Sequence, residues 1–503
     1  MILEDKKASR GWVLLLVCVA LCAGLDVLIL VRPDLLNHNS EYQWRVLWHG
    51  KRGALLWVWL LWSVIMVMAF LAWSQASKKL KGAKLDGLAA GLIFILGILS
   101  PLVFFQIDRF GANELLVRIF VQDHTGYFSD AAKFKTRENL LAAYRDPGKF
   151  PAQLSTHGRT HPPADALIFM ALNRASEKSG VLQGIHKTLF GENTRKQIDD
   201  HFHLSLAEQT GGMLGLFMIL IAASFAATLG YFLLRKFFSA DLCFVSGLAL
   251  VSMPAFCAKT PVMDQVFAVF ILGAALVALS GKKRRWRQGL SAGFIIGAGA
   301  WLSPGVWSAG LLIPFLIAAK EFQTQPVKSS GEIFKSIMIV GLPALAGAAL
   351  AVWIGSFVVQ ANYLDIFQIN RNGWYYNNDA SGRVSRLKWI LFNPYEYLFW
   401  SSFPIFLGFL VKFGQEIRKF LDRTHEPGKI DAFFWFSLIF IIILNISGQI
   451  CYESPRLCWF FLPILANLGI SGFHQDMQNL HNKALILMII LTALQTCILL
   501  IVY

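Results

Sequence analysis

The sequence predicts an all-α polytopic membrane protein with about thirteen transmembrane helices and one long extracytoplasmic loop carrying amphipathic interfacial helices. Three observations predict it. Of 503 residues, 55% are hydrophobic and only 15% charged, far more apolar than a soluble globular chain. Apolar runs of roughly 17 to 25 residues recur along the chain, each long enough to cross about 30 Å of hydrocarbon. Lys and Arg gather in short segments between those runs, so the net charge of +15 reads as a topology signal. Nucleic acid is therefore not expected as a partner.

The first run, 11–31, follows Lys6, Lys7 and Arg10. It is long enough to span, and no small-x-small cleavage site followed by a soluble domain appears, so an uncleaved anchor is expected. Leu21-Cys22 makes a poor lipobox because a bulky Leu precedes the Cys. Further runs fall at 53–74, 85–105, 211–234, 240–258, 261–280, 287–303, 304–320, 335–359, 389–411, 431–449, 456–473 and 484–502. The basic segments 77–81, 235–236, 282–287 and 418–429 all share one side if the N-terminus is cytoplasmic. Segments 32–52, 106–210, 360–388 and 450–455 are then extracytoplasmic, as are the turns near Pro261 and Pro304. Every polar stretch with candidate chemistry lies on that outer side.

Cysteine usage adds little chemistry. Cys18, Cys22, Cys243, Cys257 and Cys497 lie inside or beside apolar runs, and no CxxC or metal spacing occurs, so they read as small core residues. Cys451 and Cys458 lie nearer one face, but the intervening Pro455 and a helix start disfavour disulfide geometry.

The outer segment 106–210 is too long for a bare loop. Its stretches 112–121 and 163–175 carry apolar residues at helical spacing and are expected to lie flat in the membrane interface. Pro162 and Pro163 suit the first turn of the second stretch. Between them lies the chemistry: Gln122-Asp123-His124-Thr125-Gly126-Tyr127-Phe128-Ser129-Asp130-Ala131, and later Thr160-His161-Pro162-Pro163. The second outer segment holds Tyr363, Asp365, Asn370, Arg371, Trp374, Tyr375, Tyr376, Arg383 and Arg386. Aromatic, amide and basic groups in this mixture suit a sugar and a phosphate, and equally an interfacial belt.

Asp123 through Tyr127, followed by Ala131, resembles the Asp-x-x-x-Tyr-x-x-x-Ala signature in the first outer loop of GT-C integral-membrane glycosyltransferases. That group includes the aminoarabinose transferase acting on lipid A and the protein O-mannosyltransferases. His161-Pro162-Pro163 is similar to the His-Pro-Pro later in that loop, and Asp264 to the Asp that opens a later helix. The glycine-rich segment 289–310 resembles a downstream helix pair, although Ser303-Pro304 stands where many members have Thr-Lys. Glu453-Ser454-Pro455-Arg456, with Trp459 and Pro463, is similar to a late segment in which a basic residue precedes an apolar helix.

The resemblance covers about 85–473 and implies a GT-C-like core, 85–359, with its outer loop 106–210. A second outer loop, 360–388, and C-terminal helices, 389–503, follow it, and residues 1–84 form an added N-terminal helix pair. It implies an inverting transfer of a hexose or pentose from a polyprenyl-phosphate donor to a lipid, glycan or protein acceptor. Membrane lipid surrounds the site, and the expected location is the bacterial inner membrane with the site facing outward.

Physics supplies roles for the residues. A carboxylate near the membrane surface can take the proton of an acceptor hydroxyl, with Asp123 first and Asp130 second in this role; either equally suits capping a loop helix. The departing lipid phosphate needs preorganised cations, for which Arg456, beside Glu453, and Arg383 and Arg386 are candidates; interfacial anchoring is their plainer use. Tyr127 enters the substrate site by resemblance. His161 can position the acceptor, hold a metal or stabilise the turn before Pro162. Asp264 complements a helix N-terminus, and the resemblance adds a site role. His201 and His203, two apart in an extended segment, can both reach one divalent metal, the one cofactor considered.

No strand-helix-strand pattern or Gly-rich phosphate loop indicates a cytosolic nucleotide-sugar site. A transporter or lipid flippase would also explain many helices and Asp26 within a span, but no internal repeat accompanies it. A non-catalytic subunit of an envelope complex is the third reading.

Overall fold

A computed structural model describes residues 2–31, 53–108, 110–122, 124, 126–145, 153–281, 284–324, 329–380, 386–421, 431–447, 458–476 and 481–502. Side chains are described for these except 2–15, 145, 374–380, 386–389, 474–476, 481–483 and 502. Every regular element among them is a helix. The chain is a helical membrane protein: Ala54–Lys79, Ala83–Ile107, Leu206–Leu234, Gly305–Thr324, Ser330–Val359 and Ala484–Ile501 are long and apolar enough to span. Ile390–Trp400 and Phe403–Leu421, bent by 119° at Ser401-Ser402, make a seventh if taken as one span.

The run 11–31 lies within one 30-residue helix, Ile2–Val31, and other apolar runs form shorter helices of 10–17 residues, including Ala240–Ser252, Asp264–Ala278, Ala432–Ile446 and Trp459–Phe473. Local chemistry explains one shortening. Pro254 disfavours helical backbone at the residue before it, and Met253 is extended (ψ 145°), so the run 240–258 stops being one helix at Ser252.

Glycine sets the closest helix contacts. Gly289, Gly293 and Gly297 lie four residues apart on Arg285–Ala300, so they share a face one turn apart. A Cβ on them would sit 2.2, 1.8 and 2.5 Å from the carbonyl oxygens of Val340, Ala344 and Ala348 on Ser330–Val359. Only bare backbone permits that approach. The device recurs between Phe403–Leu421 and Leu462–Asp476, where a Cβ on Gly408 or Gly472 would meet the carbonyl oxygen of Gly469 at 2.1 Å or of Gly408 at 2.0 Å.

Ion pairs join the start of one helix to the end of another, as alternating up-and-down helices require. Arg235 Nε lies 2.7 Å from Asp86 Oδ1, to which Tyr231 also donates at 2.6 Å, and Arg285 Nη2 lies 2.6 Å from Glu321 Oε1. The second helix of the expected N-terminal addition is integrated with the rest. Trp62 is buried and donates to Ser252 Oγ at 3.0 Å, Trp73 donates to Asp241 at 2.9 Å, and Trp59 donates to the Ile490 carbonyl of the last helix.

The two stretches expected to lie in the interface turn their apolar faces into the protein instead. Asn113–Phe120 buries Leu115, Leu116, Ile119 and Phe120, and Ala164–Glu177 buries Ala166, Phe169 and Met170. Both dock on Leu206–Leu234, where a Cβ on Gly212 or Gly215 would lie 2.2 Å from Phe120 or Phe169. Amphipathic periodicity marks a face to be covered; protein and lipid satisfy it equally.

Candidate functional site

Short helices position the polar residues of the first outer segment. Gly126, at φ +67°, turns the chain into Tyr127–Phe134. Ser155 opens Thr156–Thr160 by accepting from the Gly158 amide at 2.9 Å. Ala164–Glu177 begins after Pro163, where the sequence placed it.

Asp130 clamps two of these helices together. Its Oδ1 accepts from the Ser155 amide at 2.9 Å and its Oδ2 from the Ser155 hydroxyl at 2.7 Å. The carboxyl is only 3% exposed, and burial pushes its pKa up to about 6 against the opposing Ser155 bonds and the charges of Lys133 and Arg159. No side chain fits around this clamp. A Cβ on Gly158 would sit 2.0 Å from Asp130 Oδ2, and one on Gly126 2.6 Å from Ser155 Oγ.

The clamp is continuous with the second outer segment. The Tyr144 hydroxyl donates toward the carbonyls of Gly158 (2.8 Å) and His161 (2.9 Å). From Tyr363–Ala380, Asn370 Nδ2 donates to the carbonyls of Arg159 (3.2 Å) and His161 (2.8 Å). Gly373 lets the helix approach, since a Cβ there would lie 2.3 Å from the Arg159 carbonyl oxygen. Tyr363 then accepts from Trp307 Nε1 at 2.7 Å and donates to the Ala300 carbonyl at 3.3 Å, bringing in the turn that contains Ser303-Pro304.

His161 stands at the junction. Its ring stacks on Phe267 (5.8 Å between centroids, 25°) and meets Tyr127 edge-on (5.5 Å, 86°). Its Nδ1 lies 3.0 Å from Thr160 Oγ1 and 3.2 Å from the His157 carbonyl. Phe267 is on Asp264–Ala278, three residues beyond Asp264. Tyr127, Asp130, His161 and Asp264, chosen from three separated stretches, thus belong to one neighbourhood.

Asp165, which the sequence did not single out, joins them, and a second such residue, Lys259, is buried against Trp400. Asp165 is fully buried, and neither of its oxygens has a hydrogen-bond partner. Burial, then the charge of Asp264, holds its pKa well above the usual carboxylate range. Burial, with Asp130 and Asp165 beside it, likewise raises the Tyr144 phenol. In the sequence Asp165 passes for an ordinary carboxylate in a helix's first turn. Lys259 is 2% exposed, with Nζ 4.2 Å from the centroid of the Trp400 ring. Its one sequence signal is a lone cation within the otherwise apolar stretch 254–263. Next to it, the Ala258 carbonyl accepts from Arg118 Nη1 at 2.7 Å.

Other candidates stand apart from this cluster. His201 lies in the last turn of Glu192–Phe202, with Nδ1 3.0 Å from the Gln197 carbonyl, and His203 is its left-handed C-cap (φ 52°). The extended geometry that would aim both imidazoles at one ion is replaced by a helix end. Among the described residues no three His, Cys, Asp or Glu side chains gather as a metal site. Asp123, Arg383, Glu453 and Arg456 lie outside the described residues. Arg386 opens Arg386–Trp400, and its side chain is outside them too.

Tyr127 and Phe267 are buried against His161, so the three rings pack the junction together. Comparison with family models, with characterised proteins and with solved structures found no match to this chain.

Proposed function

We propose that the chain is a GT-C-type glycosyltransferase of the bacterial inner membrane that moves a sugar from a polyprenyl phosphate to an extracytoplasmic acceptor. The observation that carries this reading is the convergence of Tyr127, His161 and Asp264, three residues of the resemblance, with the second candidate base Asp130 around one junction between the two outer segments. In the proposed step the Asp123 carboxylate takes the proton of the acceptor hydroxyl as its oxygen attacks the sugar's anomeric carbon. The bond from that carbon to the phosphate oxygen breaks, the electron pair leaves with the lipid phosphate, and the configuration inverts. Arg383, Arg386 and Arg456 supply the cations for the departing phosphate. Asp130 serves as a positioning residue, holding Ser155 and so the turn that carries His161. The shorter apolar helices complete the membrane domain toward the thirteen spans read from hydropathy.

The test is transfer from synthetic polyprenyl-phosphate sugars, with mass spectrometry of surface glycans and lipid-linked sugars with and without the gene. Asp123→Asn is expected to keep the fold and lower turnover by about 10²- to 10⁴-fold. Full activity in that variant removes Asp123 from the mechanism. One observation favours transport as a second reading: Asp26, 3% exposed within the first helix, has an Oδ1 with no hydrogen-bond partner. Substrate flux that survives Asp123→Asn and Asp130→Asn but is lost in Asp26→Asn would favour it.

A further inference from the structure

The helix Gly180–Leu189 divides its surface into three sectors. Val181, Ile185 and Leu189 are 75%, 44% and 54% exposed. At about 100° per residue they fall within about 80° of one another, forming one apolar stripe. His186 is fully buried on a second sector, toward Ala164–Glu177 and Leu206–Leu234, on which the helix packs. Burial and nearby Arg195 hold its imidazole neutral, with its pKa lowered to about 4, as suits a face turned into protein. The third sector presents Gly184, Lys187 and Thr188, all exposed.

A helix with protein on one side, an apolar stripe on the next and a polar strip on the third matches a segment lying at the edge of a bilayer. The element it packs on is long and apolar enough to span the membrane and itself exposes Ile221 (51%) and Phe225 (45%), so the stripe belongs to a helix seated on one already suited to lipid. We propose that Gly180–Leu189 is an interfacial anchor. Its stripe enters the headgroup–acyl boundary of the membrane that the chain spans, and it holds the outer helices of 106–205 down against the lipid. The anchor stands apart from the glycosyl-transfer reading, since it would tether this cap whatever the site does.

The test uses the full chain in phosphatidylcholine nanodiscs, with Ile185→Cys and Lys187→Cys spin-labelled separately and the unmodified protein as the labelling background. The label at 185 is expected to collide readily with dissolved oxygen and poorly with a water-soluble nickel chelate, and the label at 187 to show the reverse. Equal nickel access at both positions places the stripe in water and overturns the proposal. Protection of 185 from both reagents, with label-to-label broadening, overturns it in favour of contact between two copies of this chain.

Discussion

Asp130 shows how burial and hydrogen bonding oppose each other at a single carboxyl. Its folded pKa of about 6 lies above the value of about 3.9 expected in an unfolded chain. Between these values the folded protein keeps a proton that the unfolded one has lost, so the associated stability is complete below pH 4 and lost as pH rises through 6. Asp165 has the same sign, its loss likewise beginning near pH 4 and continuing as pH rises. Asp130→Asn should therefore flatten the pH dependence of thermal unfolding between pH 4 and 6, an effect on the order of 1 to 3 kcal/mol. Asp165→Asn should flatten it from about pH 4 upward. An unchanged pH profile in both variants would assign that dependence to other groups.

Elements are held by contacts that the sequence encodes only as small residues or single amides. Gly293→Leu drives a side chain into the Ala344 carbonyl, 1.8 Å from where its Cβ would stand, and should cost about 1 to 3 kcal/mol or more. Gly341→Ala, on the partner helix, meets nothing within 4 Å and should be neutral or stabilise by up to about 1 kcal/mol. Thermal unfolding in detergent separates the two, and equal losses would mean that the close approach does not hold this pair. Asn370→Leu removes both donations to the 156–161 turn, at about 1 to 3 kcal/mol. Hydrogen exchange at residues 156–161 should then accelerate while the spans keep their protection; unchanged exchange would show that the helix docks without that amide.

At the scale of the whole molecule the basic segments 77–81, 235–236, 282–287 and 418–429 alternate along the chain with the segments that carry the candidate residues. Arg235, Arg285 and Lys419 lie at helix termini and pair with Asp86, Glu321 and Glu416. The interleaved helices bring Tyr127, His161, Asn370 and Asp264 together from the opposite set of connections. We propose, by the positive-inside rule, that the basic connections are cytoplasmic. Lys81→Cys should thus react with a membrane-impermeant thiol reagent only after permeabilisation, and Glu192→Cys in intact cells. The reverse pattern would invert the topology and remove an extracytoplasmic acceptor.

By itself the sequence determined the helical, membrane-embedded class, because hydropathy is a local property summed along the chain. The helix starts after Pro163 and at Asp264 were legible for the same reason, since capping and proline chemistry act within one turn. Only the tertiary structure decided which amphipathic faces meet protein and which stay open, as between Phe169 and Ile185. It alone set the burial of Asp165 and Lys259 and the end-of-helix geometry of His203. Those outcomes depend on what a side chain meets across the fold, which no local pattern records.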